Sequence, residues 1–297
     1  VRKAEVGVRK AIGAHVPADP RRGFTDHMEV LSSQLMIGYK KYPSATHYPS
    51  DAMKAAAVAG TNLAARIMRS VNDEFAAILM LRRKESALMQ QVLAAHFHLI
   101  AGDDAGGTLK DNVVNKKFSA RAVFEKDRRW VLEKIRQNML SLSFHLNTGV
   151  YLIDIDASRR DIESGGVVNP AAANLTTEAF VSPTKTKYDA NTWRTTDAKY
   201  YSNTISGFRN GEIHVSLERL KDYSALSYAR IVIHEATHKY FNTDDEAYAH
   251  ENTYAALSLA ETLNNADSYA WAAVSLYCGA VKMVSPASYN PDWAQCS

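Results

Sequence analysis

A chain of 297 residues with 46% hydrophobic content is long enough for one large domain or two ordinary ones and can bury a substantial core. Its net charge of +3 and pI near 8.7 are too mild to imply nucleic acid or an anionic membrane surface as a partner. No apolar run reaches the roughly 20 residues of a membrane span, and no charged-then-apolar leader opens the chain. It begins with Val1 rather than Met, which predicts a mature product or a segment of something longer, with any targeting signal outside it.

Residues 1–146 read as helical almost throughout. Asp26 with Glu29 offers a capping box, and Met28, Leu31, Leu35 and Tyr39 mark one helix face until Pro43 and Pro49 end the unit. Ser50 or Asp51 caps the next helix, where Ala57, Gly60 and Ala64 form a small-residue face suited to close packing. From Asp73 an apolar-periodic stretch runs to Ile100. Ala101 to Thr108, with Gly102, Gly106 and Gly107, is the best linker, and it sets a helical N-terminal region, 1–108, apart from 109–297.

Ser119 to Leu146 predicts a long helix with Val131, Ile135, Met139, Leu142 and Leu146 on one face, stopped by Asn147 or Gly149. Val150 to Ile155 reads as a short strand. Glu212 to Leu217, with Ile213, Val215 and Leu217 alternating with polar residues, reads as a half-buried one, at an edge where an extended peptide could pair. Between them, Ala157 to Asn210 lacks periodicity and predicts either a cleft wall or a plain surface excursion; Tyr188, Trp193, Tyr200, Tyr201 and Phe208 would anchor it. Asn174 to Thr176 is a glycosylation sequon. Cys278 and Cys296 could form a disulfide or remain thiols, according to compartment.

The most informative stretch is Ile233 to Ala249, where His234, Glu235 and His238 stand in the H-E-x-x-H spacing. Residues four apart on a helix lie one above the other, so both imidazoles can reach a single ion from one face. Glu235 is rotated away from that pincer and can instead take a proton from water at the ion's open position. Ser224 is a fitting N-cap, and Leu226 to Ile233 is apolar enough to bury the helix. The bland alternative is a helix with two chance histidines.

A catalytic zinc wants a third protein ligand. Thr243 and Glu246 form a T-x-x-E capping box that predicts a second helix, bringing Asp244 and Asp245 back toward the histidines, with Tyr248 placed to donate to an oxyanion. Asp244 would be the ligand of a metzincin-like pattern, which wants Gly where Phe241 stands. Glu261 would serve a gluzincin-like site.

These residues resemble the aspzincin peptidases, the deuterolysins and lysine-specific metalloendopeptidases, which follow H-E-x-x-H with G-T-x-D-x-x-Y-G. Asn242 to Ala249 reads N-T-D-D-E-A-Y-A, so both glycines are replaced. Asn is the usual substitute for Gly in a left-handed cap, while Ala249 bears on the chain path after Tyr248. Asn264 to Trp271 is similar to a downstream N-A-D-x-Y segment of the family. The likeness covers roughly the last 180 residues and its motifs about forty of them; nothing before Lys110 contributes.

The resemblance implies a mainly α zincin-like metallopeptidase domain with a small antiparallel β element over 109–297. It implies one catalytic zinc on His234, His238 and Asp245, Glu235 as general base and Tyr248 at the oxyanion. It further implies that Asp267 lines the pocket for the side chain after the scissile bond. Ala270 stands where lysine-specific members have a second carboxylate, so a preference for basic residues is expected there, not strict specificity. The function expected is a zinc endopeptidase acting on protein or peptide, a secreted protease or a toxin or effector. The competing expectation is a non-enzymatic helical binding or targeting protein that keeps a degenerate peptidase fold.

Overall fold

The computed structural model describes residues 27–39, 49–80, 83–99, 128–154, 178–181, 213–283 and 296. Among them the chain is mostly helical with a small mixed sheet. The elements are β1 (His27–Val30), β2 (Leu35–Tyr39), α1 (Asp51–Leu79), α2 (Ala87–Phe97), α3 (Arg128–Thr148), β3 (Val150–Asp154), β4 (Ala179–Val181), β5 (Ile213–Val215), α4 (Leu217–Leu220), α5 (Ala225–Phe241), a 3-10 turn (Tyr254–Ala256), α6 (Leu259–Asn264) and α7 (Ala266–Cys278).

The sheet runs in the order β1-β2-β3-β5-β4. β2, β3 and β5 are parallel, with Leu35 opposite Val150 and Leu152 opposite Ile213, while β1 and β4 close the two ends antiparallel. This corrects the expected antiparallel element: parallel neighbours need crossover chain between them, and α1, α2 and α3 all fall between β2 and β3.

It also corrects the helix expected across Met28 to Tyr39. Leu35 to Tyr39 are all buried, and a continuous apolar run of that length fits a fully buried strand as well as a helix. The turn decides it: Leu31 N–H and Ser32 N–H both donate to the Leu35 carbonyl, and Gln34 N–H donates to Ser32 Oγ. Strands from before and after residues 101–108 share this sheet, and one hydrophobic cluster joins them. The linker expected at 101–108, the sequon and the anchors at Tyr188 to Phe208 lie outside the described residues.

Ser50 caps α1, its hydroxyl accepting from Met53 N–H, and the helix continues unbroken past Asp73 to Leu79. Ser86 then caps α2 as a separate helix, so the single stretch expected from Asp73 to Ile100 is two elements. α1 packs on α3, α5 and α7. Its crossing with α5 is unusually close: a Cβ added at Gly60 would lie 2.4 Å from the Tyr228 ring. Val131, Ile135, Met139, Leu142 and Leu146 of α3 are all fully buried, as their spacing predicts. Gly149, at φ 142, turns the chain from α3 into β3, a conformation open mainly to glycine.

β5 is shorter than expected because Ser216 takes up the N-cap of α4. It is also wholly buried and flanked by β3 and β4, so the half-buried edge role passes to β4. β4 arises inside the stretch that lacked periodicity; three residues are too few to display a period. Cys278, at the end of α7, is joined to Cys296 by a disulfide. Among the described residues no helix is long and apolar enough to cross a membrane.

Candidate metal centre

α5 begins at Ser224, whose hydroxyl accepts from Ser227 N–H, and ends at Asn242 in the left-handed conformation, φ 59 and ψ 42. Asn is the residue other than Gly that tolerates this cap. Nearly the whole helix is buried between α1, α3, α7 and the sheet, so its histidines project from a rigid support.

After Asn242 the chain does not enter the helix expected from Thr243. The Thr243 hydroxyl is bonded to Thr237 Oγ1 at 2.7 Å, and its carbonyl accepts from His238 Nδ1 at 2.8 Å. Asp244 instead forms a parallel bridge with Asn265: its N–H donates to the Asn264 carbonyl and its carbonyl accepts from Ala266 N–H. Asn265 Oδ1 accepts from the N–H groups of Glu246 and Ala247, and Asn264 Nδ2 donates to Asp244 and Glu246. Residues 264–266 thus brace the loop 244–247 in the way a helix cap would otherwise have done.

This loop lays Asp245 against the two histidines. Asp245 Oδ1 is 3.1 Å from His234 Nε2 and 3.2 Å from His238 Nε2, and the two Nε2 atoms are 3.1 Å apart. Three ligands on one face of a tetrahedral zinc site, with bonds of about 2.0–2.1 Å, lie roughly 3.3 Å from one another. The donor triangle therefore has a size and donor chemistry that fit a metal ion such as zinc. Both ring orientations are set by the other nitrogen: His234 Nδ1–H donates to Asp267 Oδ1 at 2.8 Å, and His238 Nδ1–H to the Thr243 carbonyl.

Charge in the triangle is mutually stabilising. Burial alone would lower the His234 pKa, but its hydrogen bonds to Asp245 and Asp267 and the charges of Asp267 and Glu235 raise it to about 10. Burial would raise Asp245, but the two histidines hold it well below the usual carboxylate range.

Neither rival third ligand reaches the cluster, and among the described residues His234, His238 and Asp245 are the group that could hold a metal ion. The Asp244 carboxylate accepts from Asn264, and Glu261 is spent in the capping box of α6 with Ser258. Glu235 is buried at 5% exposure beside the triangle, close enough for its charge to act on both His234 and Tyr248. The Tyr248 ring stacks along His234 with centroids 6.0 Å apart, close enough to Asp245 to feel its charge, and the residue is 38% exposed. Ala249 does not adopt a positive φ, so the loop follows a path that glycine is not needed for.

Asp267 is brought to the centre but not to an open pocket. It is 2% exposed; Oδ1 accepts from His234 Nδ1, Oδ2 accepts from Ala249 N–H at 2.8 Å, and Arg230 Nη1 stands 3.5 Å away. Those contacts take up both carboxylate oxygens, which were expected to receive a substrate's basic side chain. Asp267 lies inside the first turn of α7, whose N-cap is Asn265. Arg230, stacked over Trp271 at 5.4 Å and 3.8 Å from Glu178, is a supporting residue that sequence reasoning missed; its one signal was a position four residues before His234 on the same helix face.

No family model, curated protein or solved structure matches this chain. The functional reading therefore stands on the centre's own chemistry.

Proposed function

We propose that the protein is a zinc-dependent endopeptidase with a zincin-like catalytic domain of aspzincin type. The observation that carries this reading is the triangle of His234 Nε2, His238 Nε2 and Asp245 Oδ1, all 3.1–3.2 Å apart, beside the buried carboxylate of Glu235. Two neutral imidazoles and one carboxylate are a ligand set that leaves zinc a position for water, as catalytic rather than structural sites do. Zinc bound there would supply an acidified water and a Lewis acid for the scissile carbonyl.

The chain's own residues would do the rest. Glu235 takes the proton of the attacking water and returns it to the leaving amine. Tyr248, its phenol kept un-ionised by burial and by the charges of Asp245 and Glu235, donates to the oxyanion of the tetrahedral intermediate. β4 ends the sheet among the described residues and packs against α5, so an extended peptide could pair along it next to the centre.

Metal analysis and digestion of an unfolded protein substrate test the proposal together. The wild-type protein should carry one zinc and cleave. Glu235→Gln should keep the zinc and lose nearly all hydrolysis, since the base lies outside the ligand set. A zinc-loaded wild type that cleaves nothing would leave the helical binding protein as the better reading.

A further inference from the structure

We propose that Asp267 is a positioning residue that sets the metal centre from two sides at once, one carboxylate oxygen fixing His234 and the other fixing the loop that carries Asp245 and Tyr248. The inference rests on the metal-site reading above and goes beyond its ligands and base.

The two arms reach different elements. Oδ1 accepts a hydrogen bond from His234 Nδ1–H at 2.8 Å, which leaves the Nε2 lone pair facing the triangle and holds the ring in its plane. Oδ2 takes Ala249 N–H at 2.8 Å, one residue beyond Tyr248. Asp267 itself stands on α7, which packs along α5. The helix that supplies the histidines and the loop that supplies the third ligand are thus referred to one buried carboxylate. Arg230 at 3.5 Å keeps that buried charge compensated. Both oxygens of Asp267 are bonded within the fold and the residue is 2% exposed, which suits a positioning role.

Asparagine keeps the volume of Asp267 but presents one oxygen and one NH2, so either orientation opposes a donor with a donor on one arm. Glutamate keeps the charge for Arg230 but is a methylene too long to keep both bonds. Asp267→Asn and Asp267→Glu are therefore compared with Ser275→Ala, also on α7, which loses its bonds to His96 and from Lys282 N–H but touches neither arm. Zinc affinity is read by competition with a chromogenic chelator, and the cobalt-loaded proteins are compared by their visible ligand-field spectra.

Zinc affinity should fall about 10- to 100-fold in either Asp267 variant, with an altered cobalt spectrum, while Ser275→Ala stays within about twofold of wild type with its spectrum unchanged. Wild-type zinc affinity in both Asp267 variants would overturn this inference alone. An equal loss in Ser275→Ala would also overturn it, because the effect would then be general loosening of α7. A wild-type protein that takes up no zinc would overturn it together with the metal-site reading.

Discussion

Tyr248 carries its ring nearly parallel to the His234 imidazole, 12° between planes, and its backbone is pinned by reciprocal bonds with Glu251, the Tyr248 N–H to Glu251 Oε2 and the Glu251 N–H to the Tyr248 carbonyl. These contacts fix the ring plane and backbone from which the phenol would reach a developing oxyanion. Tyr248→Phe should retain metal and fold yet lower turnover roughly ten- to a thousandfold, the range for loss of one oxyanion donor. Steady-state cleavage of a peptide by the zinc-loaded variant checks this, and an unchanged rate would reduce Tyr248 to a packing residue. The residues of the triangle were legible in the sequence because helical spacing alone brings His234 and His238 together, and Asn242 was legible because few residues accept a left-handed cap. Asp267 was conspicuous, but its contacts were not legible. Its partners, His234 and Ala249, belong to other elements, and no local pattern shows which side of a helix will be buried against them.

Among the elements, α1 and α5 meet where Gly60 faces Tyr228, and the close atoms include Cβ and Cγ of the tyrosine, which cannot swing aside as a side-chain tip would. Gly60→Ala should therefore destabilise the fold by about 1–3 kcal/mol from overpacking, less the roughly 1 kcal/mol that alanine recovers in helix propensity. A lowered thermal midpoint would be the readout, and a raised one would show that the helices can separate without cost. The small-residue face that makes this crossing was visible from Ala57, Gly60 and Ala64 spacing. The strands were harder: β2 is buried from end to end and β4 is three residues long, so neither shows the alternation that marks a strand with one wet face. β3 was found only because Gly149 separates it sharply from the preceding helix.

For the molecule as a whole, a buried histidine far in sequence from His234 and His238 should contribute to acid sensitivity. His96 of α2 is wholly buried, bonded through Nδ1 to the Tyr254 hydroxyl and through Nε2 to Ser275 Oγ, so it ties α2 to the 3-10 turn and to α7. Burial lowers its pKa from 6.5 to about 3, against the opposing charge of Asp267. The unfolded chain therefore binds this proton more readily than the folded one. Stability is undiminished above pH 6.5 and is lost as pH falls from there toward about 3, at up to roughly 1.4 kcal/mol per pH unit for one group. His96→Gln, which cannot take up a proton, should flatten this limb in denaturant titrations across pH 4–6, and an unaltered slope would assign the acid sensitivity to other groups.

The order of strands in the sheet matters in time as well as in space. β2 is made early in synthesis, but its parallel partner β3 follows only after α1, α2 and α3 have been added. Pairing across so much chain is slow, whereas His234, His238 and Asp245 belong to one helix and the turn that follows it. The part of the protein made late is thus the quickest to find its neighbours, and the part made early waits longest. Through that interval Leu35 to Tyr39 is an apolar strand with one side of its ladder open, the segment of a nascent chain most in need of shielding from its copies.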